Sequence, residues 1–368
     1  MKFYSLKKIL SKGAQYNVIF GKRSNGKTYA ALTEALTNYV QNGKQTALIR
    51  RWQEDFVGKR GTVMFDGLVA NDEIRKLTKE KWTSVYYYAS KWYLCRTDDD
   101  GKRIQDDIPF CYGFALTGME HDKSTSYPNI TLVIFDEFIS RTGYLTDEFV
   151  LFCNVISTIV RQRRDVRILM LGNTINKYAC PYFKEMGLTH IKQQEEGTID
   201  IYRYGDSELT VAVERTAPMK TGKMNDFYFA FDNPKLAMIT EGAWEMGIYP
   251  HCPVEYRPKD VVYQFFITFE DATLHAEVVS VPDRQPFIFI HPKTTPIRDD
   301  GKYLVFDTTY STDPMHRRDI TRPFGSGDKI GNRIAMIFRK DQVYFSDNEV
   351  GEIVHAYLNW CDNNNEDA

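Results

Sequence analysis

The fold is decided by one stretch of the chain, Gly21-Lys22-Arg23-Ser24-Asn25-Gly26-Lys27-Thr28. This stretch fits the pattern G-x-x-x-x-G-K-[ST] of a phosphate-binding loop. A short apolar segment, YNVIF, precedes it, and a helical pattern, KTYAALTEALTNYV, follows it. A strand, a glycine-containing loop and a helix in that order are the structural setting that the pattern requires. The sequence therefore predicts a P-loop at residues 21–28.

Each position of this loop has a chemical task. Gly21 and Gly26 allow backbone geometry that a Cβ atom would obstruct. The N–H groups of the loop and the N-terminus of the following helix face the phosphates of a bound nucleotide. Lys27 is expected to contact the β- and γ-phosphate oxygens, and Thr28 is expected to bind Mg²⁺. We therefore predict that all eight residues of the loop bind ATP, with Mg²⁺ as the metal.

A second motif supplies the carboxylates that such a site needs. The run Thr131-Leu132-Val133-Ile134-Phe135-Asp136-Glu137 is apolar up to its last two residues, which is typical of a parallel strand covered on both faces. We expect Asp136 to hold Mg²⁺ and Glu137 to act as general base toward the attacking water. An acidic turn after a strand is common, but together with the loop the pair favours an ATP-hydrolysing protein.

A further apolar run, residues 168–172, ends in Asn173. Its amide is placed to hydrogen-bond the attacking water beside the γ-phosphate, although an asparagine that caps a turn would look the same. A cluster of arginines precedes this run and includes Arg161, Arg163 and Arg164. They fit the solvated end of a helix as well as an arginine finger that reaches the ATP of a neighbouring subunit.

Composition narrows the class of protein. No stretch of 18 apolar residues occurs, and the first residues lack the apolar core of a secretory signal, so we expect no membrane span and no export. The six cysteines show no metal-ligand spacing and are expected to be reduced thiols. The net charge of −2 excludes a polycation, so nucleic acid would have to be bound by a local basic surface or by a pore between subunits.

The apolar pattern indicates two domains. The first part alternates short strands with helical segments, which predicts an α/β domain with a mainly parallel sheet. We assign residues 1–205 to this P-loop ATPase domain, residues 206–258 to a linker, and residues 259–368 to a smaller domain. In that last domain four consecutive strands precede two helices, so it is expected to be β-rich and of the α+β class.

The residues quoted so far resemble a known family, the DNA encapsidation (packaging) ATPases of small picovirus-type tailed phages, a branch of the terminase-like ring motors. The resemblance is carried by FGKRSNGKTYA, ALIRRW, GFALTGMEHDKSTSYPNITLVIFDEF and TIVRQRRDVRILMLGNT followed by PYF. It covers residues 14–185 well and the remainder loosely. Its most specific part is the run from Lys123 to Phe138. The implied fold is an ASCE/RecA-like ATPase domain followed by a degenerate RNase H-like nuclease domain.

The resemblance also implies roles for single residues. Lys123 matches a lysine that acts on the nucleotide of the neighbouring subunit, and Arg161 matches the arginine finger. Asn173 matches the residue that senses the γ-phosphate. Arg50 and Arg51 match a paired-arginine segment after the second strand. With Glu137 as the base, we predict that Glu137, Arg161, Lys123 and Asn173 form the catalytic set.

The partners follow from the same resemblance. The family implies a ring, commonly of five subunits, that docks on the portal vertex of the procapsid and moves double-stranded DNA into it. Some relatives also use a structural packaging RNA. The implied location is the cytoplasm of the infected bacterial host and, transiently, the procapsid, with no subunit left in the mature virion and no contact with a membrane.

The second domain leaves alternatives open. A large terminase would carry a metal-dependent nuclease there, which needs several converging carboxylates. Glu270, Asp271 and Asp307 lie near strand ends, with Glu277 and Asp283 nearby, but they form no convincing set, so nuclease activity is not expected. A complete terminase with an active nuclease, a nucleotide-dependent assembly factor without turnover, and another P-loop nucleic-acid motor such as a helicase all remain compatible with the motifs.

Overall fold

A computed structural model gives the fold of the chain. The structure describes residues 4–22, 25–121, 126–140, 143–173, 180–191, 193–217, 247–270, 272–297, 301–322, 325 and 327–363. The chain divides into two compact units. The first comprises residues 1–141, 147–175 and 181–245, and the second comprises residues 142–146, 176–180 and 246–368.

The first unit is built on a mostly parallel sheet. Within the described residues it has ten strands in the order β3-β4-β6-β2-β7-β8-β1-β10-β9, with β5 beside β4. The strands from β6 to β10 in this order are parallel to one another, and both flanks are antiparallel. The bounds are β1 Tyr16–Gly21, β2 Gln45–Arg50, β3 Ser84–Tyr88, β4 Lys91–Thr97, β5 Arg103–Gln105, β6 Cys111–Ala115, β7 Ile130–Asp136, β8 Arg167–Asn173, β9 Ile199–Arg203 and β10 Thr210–Arg215.

Helices connect these strands. The bounds are α1 Lys7–Leu10, α2 Lys27–Asn42, α3 Lys59–Thr62, α4 Asp66–Ala70, α5 Glu73–Thr78, α6 Glu148–Val160 and α7 Pro181–Glu185. Helix α2 packs its apolar side, including Ala31, Leu32 and Leu36, into the core beside β1 and β2. Its ends are set by Gly26 and Gly43, which both have a left-handed backbone. The parallel α/β domain predicted from the sequence is therefore confirmed.

The pairing of β6 and of β10 with the predicted strands of this sheet was not expected. Strand β6 pairs with β2, and β10 pairs in parallel with β1. Since β10 extends to Arg215, the first sheet continues past residue 205, where we placed the end of the ATPase domain. The expected linker over 206–258 is corrected in its first part, because residues 210–215 bury their apolar side chains against β1. Residues 218–246, the middle of that linker, lie outside the described residues.

The second unit contains the α+β layout expected for the smaller domain. Its described part holds a six-stranded sheet in the order β15-β14-β11-β12-β13-β16. Strands β11, β12 and β13 form an antiparallel meander, and β14, β15 and β16 add in parallel. The bounds are β11 Val261–Phe269, β12 Ala272–Val279, β13 Phe287–Pro292, β14 Val305–Phe306, β15 His316–Arg317 and β16 Val343–Phe345, with helices α8 Lys329–Arg339 and α9 Asn348–Asn363.

The core of the second unit lies on one face of this sheet. The meander contributes Leu274, Ala276 and Ile290, and the two helices contribute residues such as Ile334 and Tyr357. Because side chains alternate along a strand, the residues between these core positions project from the other face. None of the helices in the described part of the chain is long and apolar enough to cross a membrane.

Candidate nucleotide site

The predicted site residues meet at one edge of the first sheet. The strands β2, β7, β8, β1 and β10 are parallel neighbours, so their carboxyl ends lie side by side. In register, Gly21 at the end of β1 stands beside Asn173 at the end of β8. Strand β7 borders β8 on its other side and ends at Asp136. A crevice beyond the carboxyl ends of parallel strands is the usual ligand site of an open α/β sheet.

The buried side chain of Lys27, the first residue of α2, reaches back into the loop. Its Nζ atom donates to the carbonyl oxygens of Gly21 and Lys22 at 3.1 and 2.6 Å. It also donates to Oδ1 of Asn173 at 3.3 Å. Burial lowers the pKa of Lys27 to about 8, and the negative charge of Asp136 opposes that shift. All three partners are oxygen acceptors, so the ammonium group points to a position that is surrounded by oxygen atoms.

Thr28 and Asp136 form the next part of the site. The Thr28 hydroxyl donates to Oδ1 of Asp136 at 3.0 Å. Burial raises the pKa of the Asp136 carboxyl and Glu137 adds to that shift, while Arg50 and the Thr28 hydroxyl oppose it. A hydroxyl and a carboxylate are hard oxygen ligands of the kind that Mg²⁺ selects. The residues present therefore fit the predicted magnesium position.

Glu137 differs from Asp136 in its exposure. Its side chain is 64% exposed, whereas that of Asp136 is 5% exposed. The Glu137 backbone is left-handed, with φ 60°, which turns the chain sharply at the end of β7. Such a conformation is uncommon outside glycine and is often found at functional sites. The geometry separates a buried carboxylate suited to a metal from an exposed carboxylate that can approach water.

Arg50 joins the two carboxylates. Its Nη2 atom lies 2.8 Å from Oδ2 of Asp136, and its Nη1 atom lies 2.7 Å from Oε2 of Glu137. Strand pairing explains this contact, because Ile49 and Phe135 are register partners in β2 and β7. The sequence placed Arg50 in a paired-arginine segment but did not indicate this double ion pair. The signal that could have found it was a charged residue at the carboxyl end of a buried parallel strand.

A buried network behind the carboxylates was also missed. Arg51 binds Glu148 through two hydrogen bonds of 2.6 and 2.8 Å, and Tyr182 donates to Glu148 at 2.8 Å. The Arg51 guanidinium also donates to the carbonyl oxygens of Glu137 and Phe138 at 3.3 and 3.0 Å. The Glu148 side chain is 0% exposed. This network fixes the backbone turn that presents Glu137.

Breaking this network should be costly. We expect Arg51→Ala to lower the free energy of unfolding by about 3–5 kcal/mol, because it leaves the buried Glu148 carboxylate without its cation. Urea unfolding of the full chain measures this change. The matched control is Arg164→Ala, which removes an ion pair with Glu208 between side chains that are 87% and 81% exposed. That control should cost under about 1 kcal/mol, and an equal effect of both substitutions would contradict a stabilising role for the network.

The loop is also tied to β10. The buried Asn25 side chain donates to the Thr216 hydroxyl at 2.8 Å, and the Lys27 N–H donates to Oδ1 of Asn25 at 3.2 Å. A Cβ atom added at Gly21, where φ is 148°, would stand 2.1 Å from the Thr216 hydroxyl oxygen. Glycine is therefore required at this position by a close approach as well as by backbone conformation. Thr216 carried no sequence signal, since the contact depends on the unexpected pairing of β10 with β1.

The structure distinguishes the three arginines after α6. Arg163 is a structural residue, because its guanidinium donates to the backbone carbonyls of Tyr127, Pro128, Ile130 and Ile159. Arg164 pairs with Glu208 on the surface. Arg161 is exposed and caps the helix with a left-handed φ of 47°. Three other predicted site residues, Arg23, Ser24 and Lys123, lie outside the described residues.

Within the described part of the chain, the carboxylates considered for a nuclease form no group of three. Among the described residues, the one group of three or more metal-ligating side chains is His275, Glu277 and His291. Asp307 is engaged in a turn, where its Oδ1 accepts from the backbone N–H and the hydroxyl of Thr309 at 2.8 and 2.7 Å. Asp271 lies outside the described residues.

The chain has relatives in a known protein family. The sequence profile of the podovirus DNA encapsidation protein (Gp16) family matches residues 101–291, which is more than half of the chain. The DNA packaging protein of Bacillus phage phi29 is 26% identical over 184 residues, 49% of either chain. That of Bacillus phage B103 is 27% identical over 175 residues, 47% of this chain and 48% of the relative. The chain thus spans about half the length of the curated relatives it matches.

Solved structures support the fold. The chain resembles a subunit in the viral genome packaging motor assembly of bacteriophage Phi-29, with a TM-score of 0.54, 18% identity, and 96% and 97% of the two chains covered. It also resembles the Phi-28 gp11 DNA packaging motor, with a TM-score of 0.52, 19% identity, and 97% and 98% coverage. At these identities the likeness concerns the fold alone.

The lowered pKa of Lys27 predicts that the affinity for nucleotide depends on pH. The pKa of about 8 for Lys27 lies below the ordinary lysine value of 10.5, so above pH 8 the Lys27 side chain of the unliganded loop loses its positive charge. Triphosphate oxygens favour the charged form, hence binding above pH 8 must recover a proton. We expect nucleotide affinity to be level between pH 7 and 8 and to fall about tenfold per pH unit above that.

The measurement is calorimetric titration with a non-hydrolysable ATP analogue from pH 7 to 9.5, in two buffers of different ionisation enthalpy. The phosphates themselves are fully ionised in this range, since their last pKa lies near 6, and so they do not contribute. About one proton should be taken up per nucleotide at pH 9 and far less at pH 7. An affinity independent of pH would contradict a neutral Lys27 in the unliganded loop.

Proposed function

The chain belongs to the podovirus DNA encapsidation protein family, and from this premise we propose that it hydrolyses ATP to move double-stranded viral DNA into a procapsid. The observation that carries the proposal is the meeting of Lys27, Thr28, Asp136 and Glu137 at one sheet edge. These groups are the two halves of a Mg–ATP site, a cation with a hydroxyl on one side and two carboxylates on the other.

We propose the following division of labour. Lys27 exchanges its carbonyl partners for phosphate oxygens, while Thr28 and Asp136 hold Mg²⁺, which supplies positive charge to the triphosphate. Glu137, exposed at the mouth of the site, accepts a proton from the attacking water. The Oδ1 atom of Asn173 accepts a hydrogen bond from Nζ of Lys27 at 3.3 Å. Through this contact Asn173 would detect loss of the γ-phosphate. Lys22, Asn25 and Gly26 would add backbone N–H groups to the cradle.

The proposed assembly is a ring, with five subunits as the family suggests. Arg161 and Lys123 would act on the nucleotide of the adjacent subunit, and Arg161 is supported by its exposed position at the end of α6. Partners are the portal vertex of the procapsid, double-stranded DNA held by its backbone, and in some relatives a structural RNA. The protein would work in the cytoplasm of the infected host and leave the procapsid once packaging ends.

The second unit is proposed to grip partners rather than to cut DNA. In the described residues, Glu270, Asp307 and their neighbours form no group of three carboxylates. A plasmid-cleavage assay with Mn²⁺ tests this point. Nicking that disappears in Asp307→Asn or Glu270→Gln would overturn it and establish a complete terminase.

The decisive experiment for the proposed function is ATPase activity of the purified chain with and without procapsids and duplex DNA. We expect strong stimulation when both are present and little with either alone. Stimulation by single-stranded nucleic acid without procapsids would favour a helicase instead. Nucleotide binding without any turnover under all conditions would favour an assembly factor.

A further inference from the structure

A cluster of metal-ligating side chains lies on the second sheet, apart from the nucleotide site. His275 and Glu277 are two residues apart on β12, so their side chains project from the same face. His291 on β13 is the register partner of His275. Buried Leu274 and Ala276 alternate with them and belong to the core on the opposite face. Strand register therefore places two imidazoles and a carboxylate next to one another.

The donor atoms are close enough to share an ion. One ligand atom from each of the three side chains lies within 4.8 Å of the others. Ligands bound to zinc at about 2.0–2.2 Å in a tetrahedral arrangement are about 3.3–3.6 Å apart. Side-chain rotation thus has to close the widest gap by about 1.2–1.5 Å. We propose that His275, Glu277 and His291 bind a divalent transition-metal ion, with Zn²⁺ as the best fit.

The hydrogen bonds around the cluster suit this role. His275 Nε2 is buried and has no hydrogen-bond partner among the described residues. His291 Nδ1 lies 3.1 Å from the carbonyl oxygen of Pro292. Because a carbonyl only accepts, that nitrogen carries the proton and Nε2 keeps its lone pair for a metal. Tyr256 donates to one oxygen of Glu277, which orients the carboxylate as an outer hydrogen bond does in metal sites.

The chemistry of the cluster favours one class of ion. Two imidazoles and one carboxylate match the preference of zinc and its neighbours, whereas Mg²⁺ prefers oxygen ligands alone. The nearby charge that opposes a cation is Lys293, whose ammonium lies 5.6 Å from the ring centre of Phe266, and Phe266 stacks on His275. We therefore expect weaker affinity than in a closed four-ligand site.

The ion would have two consequences. It would join β12 to β13 within the antiparallel meander of the second unit, and so stabilise that unit by binding only its folded form. Three protein ligands also leave a coordination position for water or for an oxygen atom of a partner. Neither consequence depends on the nucleotide site, so the metal site can be tested independently of the proposed ATPase activity.

The test uses the full chain, treated with a chelator and titrated with Zn²⁺ by calorimetry without nucleotide and with excess Mg²⁺. We expect one Zn²⁺ per chain and a higher midpoint of thermal unfolding in its presence. Cobalt(II) should give visible d–d bands of a low-coordinate site without a thiolate charge-transfer band, which separates this cluster from the cysteines. No saturable binding, or a thiolate band, would overturn the proposal.

Variants locate the site. His275→Gln and His291→Gln should each weaken Zn²⁺ binding at least tenfold and abolish the cobalt spectrum, and Glu277→Gln should weaken binding to a similar extent. The matched control is His190→Gln, since His190 lies in the first unit beside Asp200. Circular dichroism of each metal-free variant reports whether it is folded. Full-affinity binding by folded His275→Gln and His291→Gln would place the ion elsewhere and refute the assignment.

Discussion

Replacing Glu137 with glutamine is expected to lower the turnover of ATP by about 10²–10⁴-fold while nucleotide affinity stays within a few-fold of the original. Glutamine keeps the size of the side chain but cannot accept a proton from water. Glu137 is also exposed and follows the sheet edge on a left-handed turn, so the substitution should not disturb the core. Steady-state hydrolysis with procapsids and DNA measures turnover, and titration with an ATP analogue measures affinity.

The control for this prediction is Glu208→Gln, which also replaces an exposed carboxylate that pairs with an arginine. Its turnover should be unchanged. A third variant, Arg50→Ala, separates the base from its partner, because Arg50 binds both Glu137 and Asp136. If Glu137→Gln hydrolyses ATP at the original rate, Glu137 is not the base. If it loses affinity instead of turnover, the carboxylate acts in binding.

Much of this site could be predicted because its parts are local in sequence. A buried parallel strand is a continuous apolar run, and the polar residue that ends the run marks the functional edge of the sheet. Strands β7 and β8 follow this rule and end in Asp136 and Asn173, whereas β1 leads into the glycine-containing loop. The strands that lead to Gly21 and to Asp136 were therefore placed correctly in the sequence before any pairing was known.

The parts that could not be predicted depend on which strands pair. Strand β6 is short and contains Gly113, so its sequence did not resemble a buried strand. Only the structure shows that an added Cβ atom at Gly113 would stand 2.8 Å from the Phe56 ring. Strand β10 follows a polar segment and carries Glu214 and Arg215. Nothing in either segment identifies its neighbour. The contact between Thr216 and the loop, and with it the extent of the first domain, could only be seen once β10 was placed beside β1.

Charged residues in a run pose a similar difficulty. Apart from the family resemblance, the sequence does not distinguish Arg161, Arg163 and Arg164, because each could end a helix or reach a phosphate. Tertiary contacts separate them, because Arg163 is held by backbone carbonyls and Arg164 by Glu208. Likewise, Arg50 ends β2 and Arg51 follows it, and the first binds the site carboxylates while the second binds Glu148. The function of a charged side chain here follows from the face and edge on which it lies.

Arg161→Ala is expected to lower ATP turnover by about 10³-fold or more, whereas Arg164→Ala should have little effect. A guanidinium that reaches a neighbouring subunit stabilises the charge of the transition state, so its loss leaves nucleotide binding intact. Arg161 suits this role because it is exposed at the end of α6, where its backbone turns away from the helix. Both variants are compared in the assay with procapsids and DNA.

Mixing experiments decide whether Arg161 acts on its own nucleotide or on that of a neighbour. Lys27→Ala should be inactive because its loop cannot hold a triphosphate, yet it keeps Arg161. Arg161→Ala keeps its loop and lacks the guanidinium. If the arginine acts between subunits, a mixture of the two inactive variants contains interfaces with an intact loop on one side and Arg161 on the other, so part of the activity returns. If Arg161 acts within its own subunit, the mixture remains inactive, and equal mixtures of Arg161→Ala with the original chain retain half of the activity. That pair of results would exclude Arg161 as a finger that acts on the nucleotide of a neighbouring subunit.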